Sequence, residues 1–545
     1  MNKLIHYVAL CCILFTACSE ETLPKDTPVS PDDEGVEVIL NLAPQPLQAP
    51  APTTRSNAEN GNPKVLASSR EGAMFLELLA EQPDAATRAE TGSTETGSST
   101  ATDAEKTIDN AWIFLFDGST EDNNDPKLIK KLYKSDFQND KGIKLIKKGN
   151  ENDKQLFVVL ANSFNPKLAD ALIVDDADGT NGSASTYSDL KNLYSTTDIS
   201  TTQRIPMSGA DNIAIPATSA EPVKLTVKVA RIAAKVTMSV KLAEALPTGQ
   251  WTAQLCNVAP TYWCPTVDGI TAPFPANTQT FSAQNEEDIT LSTSEFTTFT
   301  WYVPMNLRGT VSAASTTGAD RVTNAPELAT YIRFTHNSEV GNVWTQRDYY
   351  IHLGANFTDN YNVLRNTHYT YKVTFYLNGD DDSRINNSTA VYAGMFGGEL
   401  EEIDGVYQFT KELWVQPADE TASAISWGGT STSSNEYLNG KLNTFQAKGN
   451  ANSASQKCFQ KNVNYSNITS TTDGFFQWYL PAAAQLMGIW VATSGTNSVM
   501  TNFSGQYWSS SKHENGCFVN FSNGYMHFNE TGTKNVRCVM EKYKK

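Results

Sequence analysis

Near the start of the chain, one isolated stretch alternates apolar and polar residues with a period of two. Residues 36–42 read Val-Glu-Val-Ile-Leu-Asn-Leu, which places Val36, Val38, Leu40 and Leu42 on one face. This alternation predicts a β-strand that buries that face against a sheet. Burying four aliphatic side chains is worth on the order of 6–12 kcal/mol, comparable to a domain's whole stability margin of about 5–15 kcal/mol. Removing the strand would therefore leave a groove that demands another strand.

The strand is followed by a long segment rich in Ala, Pro, Thr, Ser, Glu and Gly, which reaches to about residue 107. Arg55, Arg70 and Arg88 lie in this segment in contexts that a protease can reach. Apolar residues also recur in residues 71–82 at helical spacing, namely Met74, Phe75, Leu78 and Leu79. This spacing predicts a short docking helix.

The remaining chain shows short alternating runs and few helical periods, which is typical of a β-rich extracellular protein. Residues 187–193 predict one or two helical turns, and residues 223–242 predict two long strands or one bent strand. Further predicted strands cover residues 108–117, 155–162, 298–303, 330–335, 349–353 and 370–376. Two β-sandwich domains in series fit this pattern best.

The first residues predict export. Lys3 precedes an apolar stretch, residues 4–15, which is too short to span a bilayer and is typical of a signal peptide. The sequence Phe15-Thr16-Ala17-Cys18 resembles the lipobox of bacterial lipoproteins, and Cys18 would then be the acylated first residue of the mature chain. The acidic residues after Cys18 resemble the surface-export signal of Bacteroidales lipoproteins. The alternative is an ordinary signal peptide with an incidental cysteine.

Charge and motif content narrow the function classes. The chain of 545 residues carries a net charge of −17, which argues against nucleic-acid binding. Its six histidines show no His-Glu-x-x-His spacing, and the sequence contains neither a Gly-x-Ser-x-Gly elbow nor a phosphate-binding glycine loop. We therefore predict a protein that is not an enzyme and needs no metal or other cofactor.

The cysteines leave several pairings open. Of the eight cysteines, Cys11 and Cys12 lie in the signal peptide and Cys18 would take lipid. The cysteines that remain are Cys256, Cys264, Cys458, Cys517 and Cys538. An exported protein can oxidise them. Cys256 could close a hairpin with Cys264, Cys458 could reach Cys538, and the odd number leaves at least one thiol unpaired.

A succession of short motifs resembles the Bacteroidales fimbrillin superfamily, the subunits of type V pili. In chain order these motifs are Thr87-Arg88-Ala89, Glu105 with Ile108 to Phe114, Val158 to Asn162, Ile205 to Gly209, Arg231 to Val236, Tyr302 to Asn306, Tyr349 to Gly354 and Tyr361 to Tyr369. Met305 stands where the family usually carries Glu. The order of these motifs over residues 87–369 makes the resemblance specific.

This resemblance implies two transthyretin-like β-sandwich domains and assembly by strand exchange. In the family, an arginine-directed protease removes the first strand, and a neighbouring subunit fills the groove by β-augmentation. Thr87-Arg88-Ala89 matches the family's processing site, and Arg55 is the rival because it lies nearer the removed strand. An uncut arginine in a linker is the alternative for both.

The last third of the chain resembles a surface domain with a C-type-lectin-like core. The motifs are Phe476 to Leu486, Tyr507 to Ser511, Val519 to Gly524 and Val536 to Val539. The resemblance implies an α+β fold in which Cys458 pairs with Cys538. Candidate ligand contacts are Trp478, Trp490, Tyr507 and Trp508, although core packing is the more common role of these blocks. The sugar-binding triplets of calcium-dependent lectins are not found.

We therefore expect a mainly β protein with five regions: a lipoprotein signal (residues 1–17), a propeptide with the first strand and linker (18–104), two sandwiches (105–245 and 246–379) and a lectin-like adhesion domain (380–545). The resemblance implies a pilus-tip subunit in cell adhesion and biofilm formation. Its partners would be other fimbrial subunits, the outer membrane through palmitate-type lipid on the precursor, and a host or bacterial surface receptor. A fimbrial anchor and a surface glycan-binding lipoprotein are the alternatives.

Overall fold

The computed structural model describes residues 36–50, 64–71, 74–80, 101–119, 125–145, 153–163, 165–175, 183–195, 199, 204–216, 221–246, 249–262, 281–312, 317–376, 382–428, 437–463, 465–493 and 503–543. Strands predominate over helices in these residues, which confirms the prediction of a mainly β protein. The five short helices are α1 (Asp103–Lys106), α2 (Tyr187–Lys191), α3 (Gly440–Ala447), α4 (Ala454–Gln460) and α5 (Ala483–Thr493).

A seven-stranded sheet forms the first layer of the molecule. Its strands, in spatial order, are β5 (Leu128–Lys134), β4 (Ala111–Phe116), β7 (Lys154–Ala161), β9 (Met207–Ala214), β10 (Val223–Arg231), β1 (Val36–Pro44) and β6 (Gly142–Leu145). The edge strands approach each other, since Lys130 Nζ on β5 donates to the Lys144 carbonyl on β6 at 2.6 Å. The sheet therefore curls around the core to which β1 contributes, and we call this curled sheet with its core the first sandwich.

Strand β4 is buried along its whole length because both faces of the sheet are covered. Ile113 and Leu115 join the core that includes β1, whereas Trp112, Phe114 and Phe116 pack on the opposite side with residues of α2. A strand buried on both faces reads as a continuous apolar run rather than an alternating one. This explains the unbroken run Ala-Trp-Ile-Phe-Leu-Phe.

Two sheets enclose a second core. The five-stranded sheet has the order β15 (Thr297–Pro304), β11 (Ala233–Leu242), β18 (His368–Phe375), β3 (Met74–Ala80) and β2 (Lys64–Glu71). The seven-stranded sheet opposite it has the order β14 (Glu287–Ile289), β12 (Gln250–Cys256), β16 (Tyr331–Val340), β17 (Val343–His352), β19 (Ile385–Ile403), β20 (Val406–Val415) and β26 (Val539–Tyr543). The alternating inner residues of both sheets pack together, as in a β-sandwich.

The C-terminal residues cover the other face of this second seven-stranded sheet. They contribute α3, α4, α5 and a small sheet of β22 (Gln506–Lys512), β23 (Gly516–Asn520) and β24 (Tyr525–Glu530). The smaller pairs are β21 (Ile425–Ser426) with β25 (Thr533–Lys534), and β8 (Tyr194–Ser195) with β13 (Thr261–Tyr262). Strands β19, β20 and β26 continue the sheet of the second sandwich, so one sheet serves both cores.

Two elements differ in place or type from the sequence prediction. The described part of the segment predicted as a docking helix, residues 71 and 74–80, is extended: β2 and β3 pair as a hairpin, β3 also pairs with β18, and Met74, Leu76 and Leu78 enter the core. The predicted helix was therefore wrong. Residues 233–242 were placed in the first sandwich, but β11 pairs with β15 and β18 in the second, so the chain changes sheets at Ile232.

Candidate functional site

The first strand is seated in a groove of the first sheet. Strand β1 runs parallel to β10, with Val38 opposite Val223, and antiparallel to β6, with Val36 opposite Leu145. Val36, Val38 and Leu40 are buried, whereas Glu37 and Asn41 face outward, as the alternation predicted. The sheet thus has a place for one strand between β10 and β6. The segment that fills it precedes Arg55 and Arg88, and also Arg70, which the structure places in β2 rather than in a linker.

The chain after β1 crosses from the first sandwich to the second along a line of hydrogen bonds. Arg231 Nη1 donates to the Gln45 carbonyl at 2.8 Å, and Asn366 Nδ2 donates to the Pro46 carbonyl at 2.8 Å. The Gln48 amide then donates to the Asn366 carbonyl, and Gln48 accepts from the His368 amide at 2.8 Å. We call residues 45–48 the crossing segment. It connects β1 to the edge of β18.

The hairpin of β2 and β3 continues along that edge. Strand β3 pairs antiparallel with β18, from Met74 opposite Phe375 to Leu79 opposite Thr370. The other side of the hairpin is held by Arg384, whose Nη1 donates to Ser69 Oγ at 3.1 Å and which forms a buried ion pair with Asp382 at 2.7 Å. Strand β1 therefore completes the sheet of the first sandwich, and β2 and β3 complete the five-stranded sheet of the second.

A buried polar cluster fixes the junction of the two sandwiches. Glu105 in α1 accepts from Tyr302 Oη at 2.7 Å and forms an ion pair with Lys235 at 3.1 Å. Thr102 caps α1 reciprocally with Glu105, and Arg231 Nε donates to the Glu105 carbonyl at 3.1 Å. Burial alone would raise the pKa of Glu105, but the hydrogen bonds from Tyr302, Thr102 and Lys235 hold it below its ordinary value.

The residues of this cluster come from the sequence motifs, but the sequence alone assigned them no role. Glu105, Arg231, Lys235, Tyr302 and Asn366 all belong to the motifs that resemble the fimbrillin superfamily. The structure shows that they meet at one place. Arg231 is 2% exposed and Asn366 is 3% exposed. In the sequence, the only sign of such buried polar residues is a charged or amide side chain next to an apolar run.

At the C-terminal end, the chain is joined back to the second sandwich. Cys458 in α4 and Cys538 form a disulfide bond with a Cα–Cα distance of 5.4 Å. Directly after Cys538, β26 pairs antiparallel with β20, with Val539 opposite Val415. Arg537 adds an ion pair to Asp419 at 2.6 Å. The residues up to Tyr543 are thus built into the sheet.

The four aromatic residues proposed as ligand contacts serve mainly as core. Trp478, Tyr507 and Trp508 are between 0% and 2% exposed, and each bonds internally, as Trp508 Nε1 does to the Ile425 carbonyl at 2.8 Å. Because no ring face is open, the expectation of ligand contact is corrected for these three residues. Trp490 is half-buried against Gly524, and its Nε1 donates to the Phe521 carbonyl at 3.2 Å.

The other predicted sites are only partly placed. Cys256 and Cys517 carry buried free thiols, and burial raises the pKa of each to about 11, which makes them poor nucleophiles. Cys18, Arg55, Arg88, Ala89 and Cys264 lie outside the described residues. The predicted lipidation and processing therefore stay predictions. The predicted pairing of Cys256 with Cys264 is not formed, because Cys256 is a free thiol.

Two other features, a metal site and a membrane-spanning helix, are not found among the described residues. In the part of the chain that the structure describes, no group of three or more His, Cys, Asp or Glu side chains is arranged to hold a metal ion. Within the same residues, no helix has the length and hydrophobicity needed to cross a bilayer.

Comparisons with known proteins give similarities to parts of the chain. Residues 301–373 match a family model described as a domain of unknown function (DUF4906). No curated protein matches the sequence. Among solved structures, the tip fimbrial protein Mfa3 of Porphyromonas gingivalis, with a C-terminal truncation, is 19% identical over 53% of this chain and 95% of its own, with a TM-score of 0.33.

Two further solved structures are candidate cell adhesion proteins. The one from Bacteroides eggerthii is 14% identical, with a TM-score of 0.33, and the similarity covers 65% of this chain and 95% of the other. The one from Bacteroides uniformis is also 14% identical, with a TM-score of 0.26, and the similarity covers 53% of this chain and 92% of the other.

Proposed function

We propose that this protein is a fimbrial tip subunit that receives a donated strand and presents its C-terminal domain in cell adhesion. In this proposal the precursor is lipidated at Cys18 and carried to the outer membrane. An arginine-directed protease then cuts the linker, and the strand of a neighbouring fimbrial subunit replaces β1. Adhesion and biofilm formation follow from contact of the exposed end with a surface receptor.

The observation that carries the proposal is the way β1 is held. It is the most N-terminal described strand, it lies between two strands that come much later in the chain, and it precedes Arg55, Arg70 and Arg88. A cut in the linker would leave β1 attached by hydrogen bonds and three buried side chains alone. A segment with the same alternation can take its place by β-augmentation.

The role of receiver rather than donor is supported by the C-terminal region. The residues beyond 379 that the structure describes form helices and strands packed on the second sandwich, and β26 is paired with β20. The disulfide at Cys538 holds β26 in place. A segment fixed in this way is not free to enter a groove on a neighbouring subunit, which fits a position at the end of a filament.

The two processing sites have different consequences. A cut after Arg55 separates β1 and the crossing segment from everything that follows. A cut after Arg88 also separates the hairpin of β2 and β3, which completes the second sandwich through Met74, Leu76 and Leu78. Both arginines stay in the proposal, with the hairpin expected to remain bound after either cut.

Immunogold microscopy with an antibody against residues 437–543 tests the proposal on intact cells that carry the full chain. The expected result is labelling at the distal ends of fimbriae. Labelling along whole shafts would make this a stalk subunit, and labelling at the fimbrial base would make it an anchor. Diffuse surface labelling of an uncut monomer would favour the surface lipoprotein instead, and each of these three results contradicts the tip assignment.

A further inference from the structure

A cavity of about 520 Å³ lies between the second sandwich and the C-terminal domain. Its floor is the outer face of the second seven-stranded sheet, the face opposite the sandwich core. Its other wall is formed by α3 and the loop over residues 472–477. This volume falls within the range of ligand pockets, about 300–1,000 Å³, and none of the residues proposed from sequence as ligand contacts lines it.

The floor consists of side chains at alternate positions on neighbouring strands. Gln250, Thr252 and Gln254 on β12 lie beside Thr335 and Asn337 on β16, and Trp344 and Gln346 on β17 follow. Because successive side chains of a strand point to opposite faces, these residues form rows of amides and hydroxyls on one surface. Such a surface offers both donors and acceptors at short intervals.

A buried carboxylate holds part of the floor in place. Asp348 is 0% exposed, and it accepts from Thr335 Oγ1 at 2.7 Å, Gln346 Nε2 at 2.5 Å and Gln477 Nε2 at 3.1 Å. Arg333 reaches across the cavity to the Gly474 carbonyl at 2.9 Å. The two walls are therefore connected by hydrogen bonds, and the polar groups are positioned before any ligand arrives.

Several polar atoms of the cavity lining lack a partner among the described residues. They are the donors Trp344 Nε1 and Arg333 Nε and the acceptors Asn337 Oδ1 and Gln477 Oε1. Trp344 is 3% exposed, so its indole N–H group is buried without a hydrogen bond. Leaving such a group unsatisfied destabilises the folded chain. A ligand hydroxyl, which both donates and accepts, is suited to pair with these atoms.

The charges of the lining are mixed and partly neutralised. Arg333 is paired with Glu286 at 2.6 Å, and the Lys542 ammonium lies 5.5 Å from the Trp344 ring centre. Burial lowers the pKa of Lys441 and raises that of Asp473, so it disfavours the charged form of each group. A strongly anionic or cationic ligand therefore finds little net charge of the opposite sign in this cavity.

We propose that this cavity binds a short neutral glycan, with the polar floor and the Trp344 edge contacting its hydroxyl groups. The assignment names a ligand class for the molecule's C-terminal half and is independent of strand exchange. Binding is measured on the isolated monomer, so failure of the tip assignment leaves it intact, and the reverse also holds.

The test is saturation-transfer-difference NMR with the full chain lacking its signal peptide. The probes are lactose, cellobiose and N,N′-diacetylchitobiose at millimolar concentration. We expect saturation transfer to at least one disaccharide, and a loss of affinity of about tenfold in Asn337→Leu, which removes the side-chain amide, and in Trp344→Phe, which removes the indole N–H. The melting temperature should stay equal or rise in Asn337→Leu, which deletes an unsatisfied polar atom. It should fall in Trp344→Phe, because the smaller ring leaves a void next to Trp414 in a buried cluster.

Thr345→Ala is the matched control, because Thr345 lies on the same strand and faces away from the cavity. Its affinity should equal that of the parent chain. If saturation is transferred from the protein to none of the three disaccharides, the proposal is overturned. Binding that neither Asn337→Leu nor Trp344→Phe weakens would also overturn it, because the sugar would then occupy another surface. A loss of binding in Asn337→Leu accompanied by a drop in the melting temperature of that variant would identify a structural role and overturn it too.

Discussion

At the scale of single residues, the junction of the two sandwiches depends on polar side chains buried in an apolar setting. Glu105 is 1% exposed and yet carries a depressed pKa, because its partners outweigh burial. Arg231 connects α1, the crossing segment and Asn366. In the sequence these residues belong to motifs that resemble a known family, but only folding brings together positions separated by up to 320 residues.

Replacing Glu105 with Gln should lower the free energy of unfolding at neutral pH by about 1–3 kcal/mol, because the charge-assisted bonds to Lys235 and Tyr302 are lost. Since the folded pKa is depressed, the carboxylate stabilises the fold above the ordinary carboxyl pKa. This contribution disappears as the pH falls through the folded value. Urea unfolding of both chains at pH 7 and at pH 3 measures it.

The difference between the parent and Glu105→Gln should therefore shrink on acidification. A matched control is Glu37→Gln, because Glu37 is exposed on the outer face of β1. This control should leave the unfolding curves nearly unchanged at both pH values. A constant difference between parent and Glu105→Gln over the whole range would contradict the assigned ionisation.

At the scale of elements, local patterns predicted the strands better than their partners. The alternation in β1 predicted its buried face correctly, because one covered face imposes a period of two. The hairpin of β2 and β3 was missed because Met74, Phe75, Leu78 and Leu79 satisfy a helical spacing, whereas Met74, Leu76 and Leu78 satisfy a period of two equally well. Only pairing with β18, almost 300 residues later, decides between them, and a local window contains no such information.

Strand exchange should be reproducible with a synthetic peptide of residues 36–48. After cleavage of the linker, the peptide should replace β1, because it restores the hydrogen bonds to β10 and β6 and the burial of Val36, Val38 and Leu40. Size-exclusion chromatography with a fluorescent peptide measures its uptake. A peptide with Val38→Asp and Leu40→Asp should not enter, because a carboxylate would be buried without a partner.

The uncut chain with Arg55→Ala, Arg70→Ala and Arg88→Ala supplies the control for this exchange. Its own β1 remains covalently attached and competes at a high effective concentration. We expect uptake by the cut protein at least tenfold faster than by this variant. Equal rates would show that cleavage does not govern access to the groove.

The hairpin should respond differently from β1 when the linker is cut. It contributes three fully buried side chains to the second core and is additionally held at Ser69 by Arg384. Hydrogen exchange of residues 74–80 should therefore stay slow after cleavage and peptide uptake. Fast exchange there, together with loss of residues 64–80 from the complex by mass spectrometry, would show that both sandwiches release a segment.

At the scale of the whole molecule, a shared sheet makes the C-terminal domain an extension of the second sandwich. The sequence suggested a boundary near residue 379, because polar residues follow β18 there. In the structure β19 pairs with β17, and β26 then pairs with β20. Composition marks a turn but does not show whether the strands on either side of it share a sheet, so this continuity was not predictable.

Replacing Cys458 and Cys538 with Ser should destabilise the C-terminal domain. The bond closes a loop with a sequence separation of 80, for which chain-entropy arguments give up to about 4.5 kcal/mol. Thermal unfolding of the variant under non-reducing conditions measures the loss. The double replacement of Cys256 and Cys517 with Ser is the control for removing sulfur. Hydrogen exchange of β26 should become faster in the variant without the disulfide bond, but not in this control.

The direction of β1 has a consequence for any assembly built on its replacement. Because β1 runs parallel to β10 and antiparallel to β6, an incoming segment that reproduces these bonds must enter with the same orientation. Copies joined by such a rule all point one way and cannot meet through a twofold axis. A fibre made like this has two chemically distinct termini. The hydrogen-bonding pattern of a single nine-residue strand would therefore determine the polarity of the whole fibre.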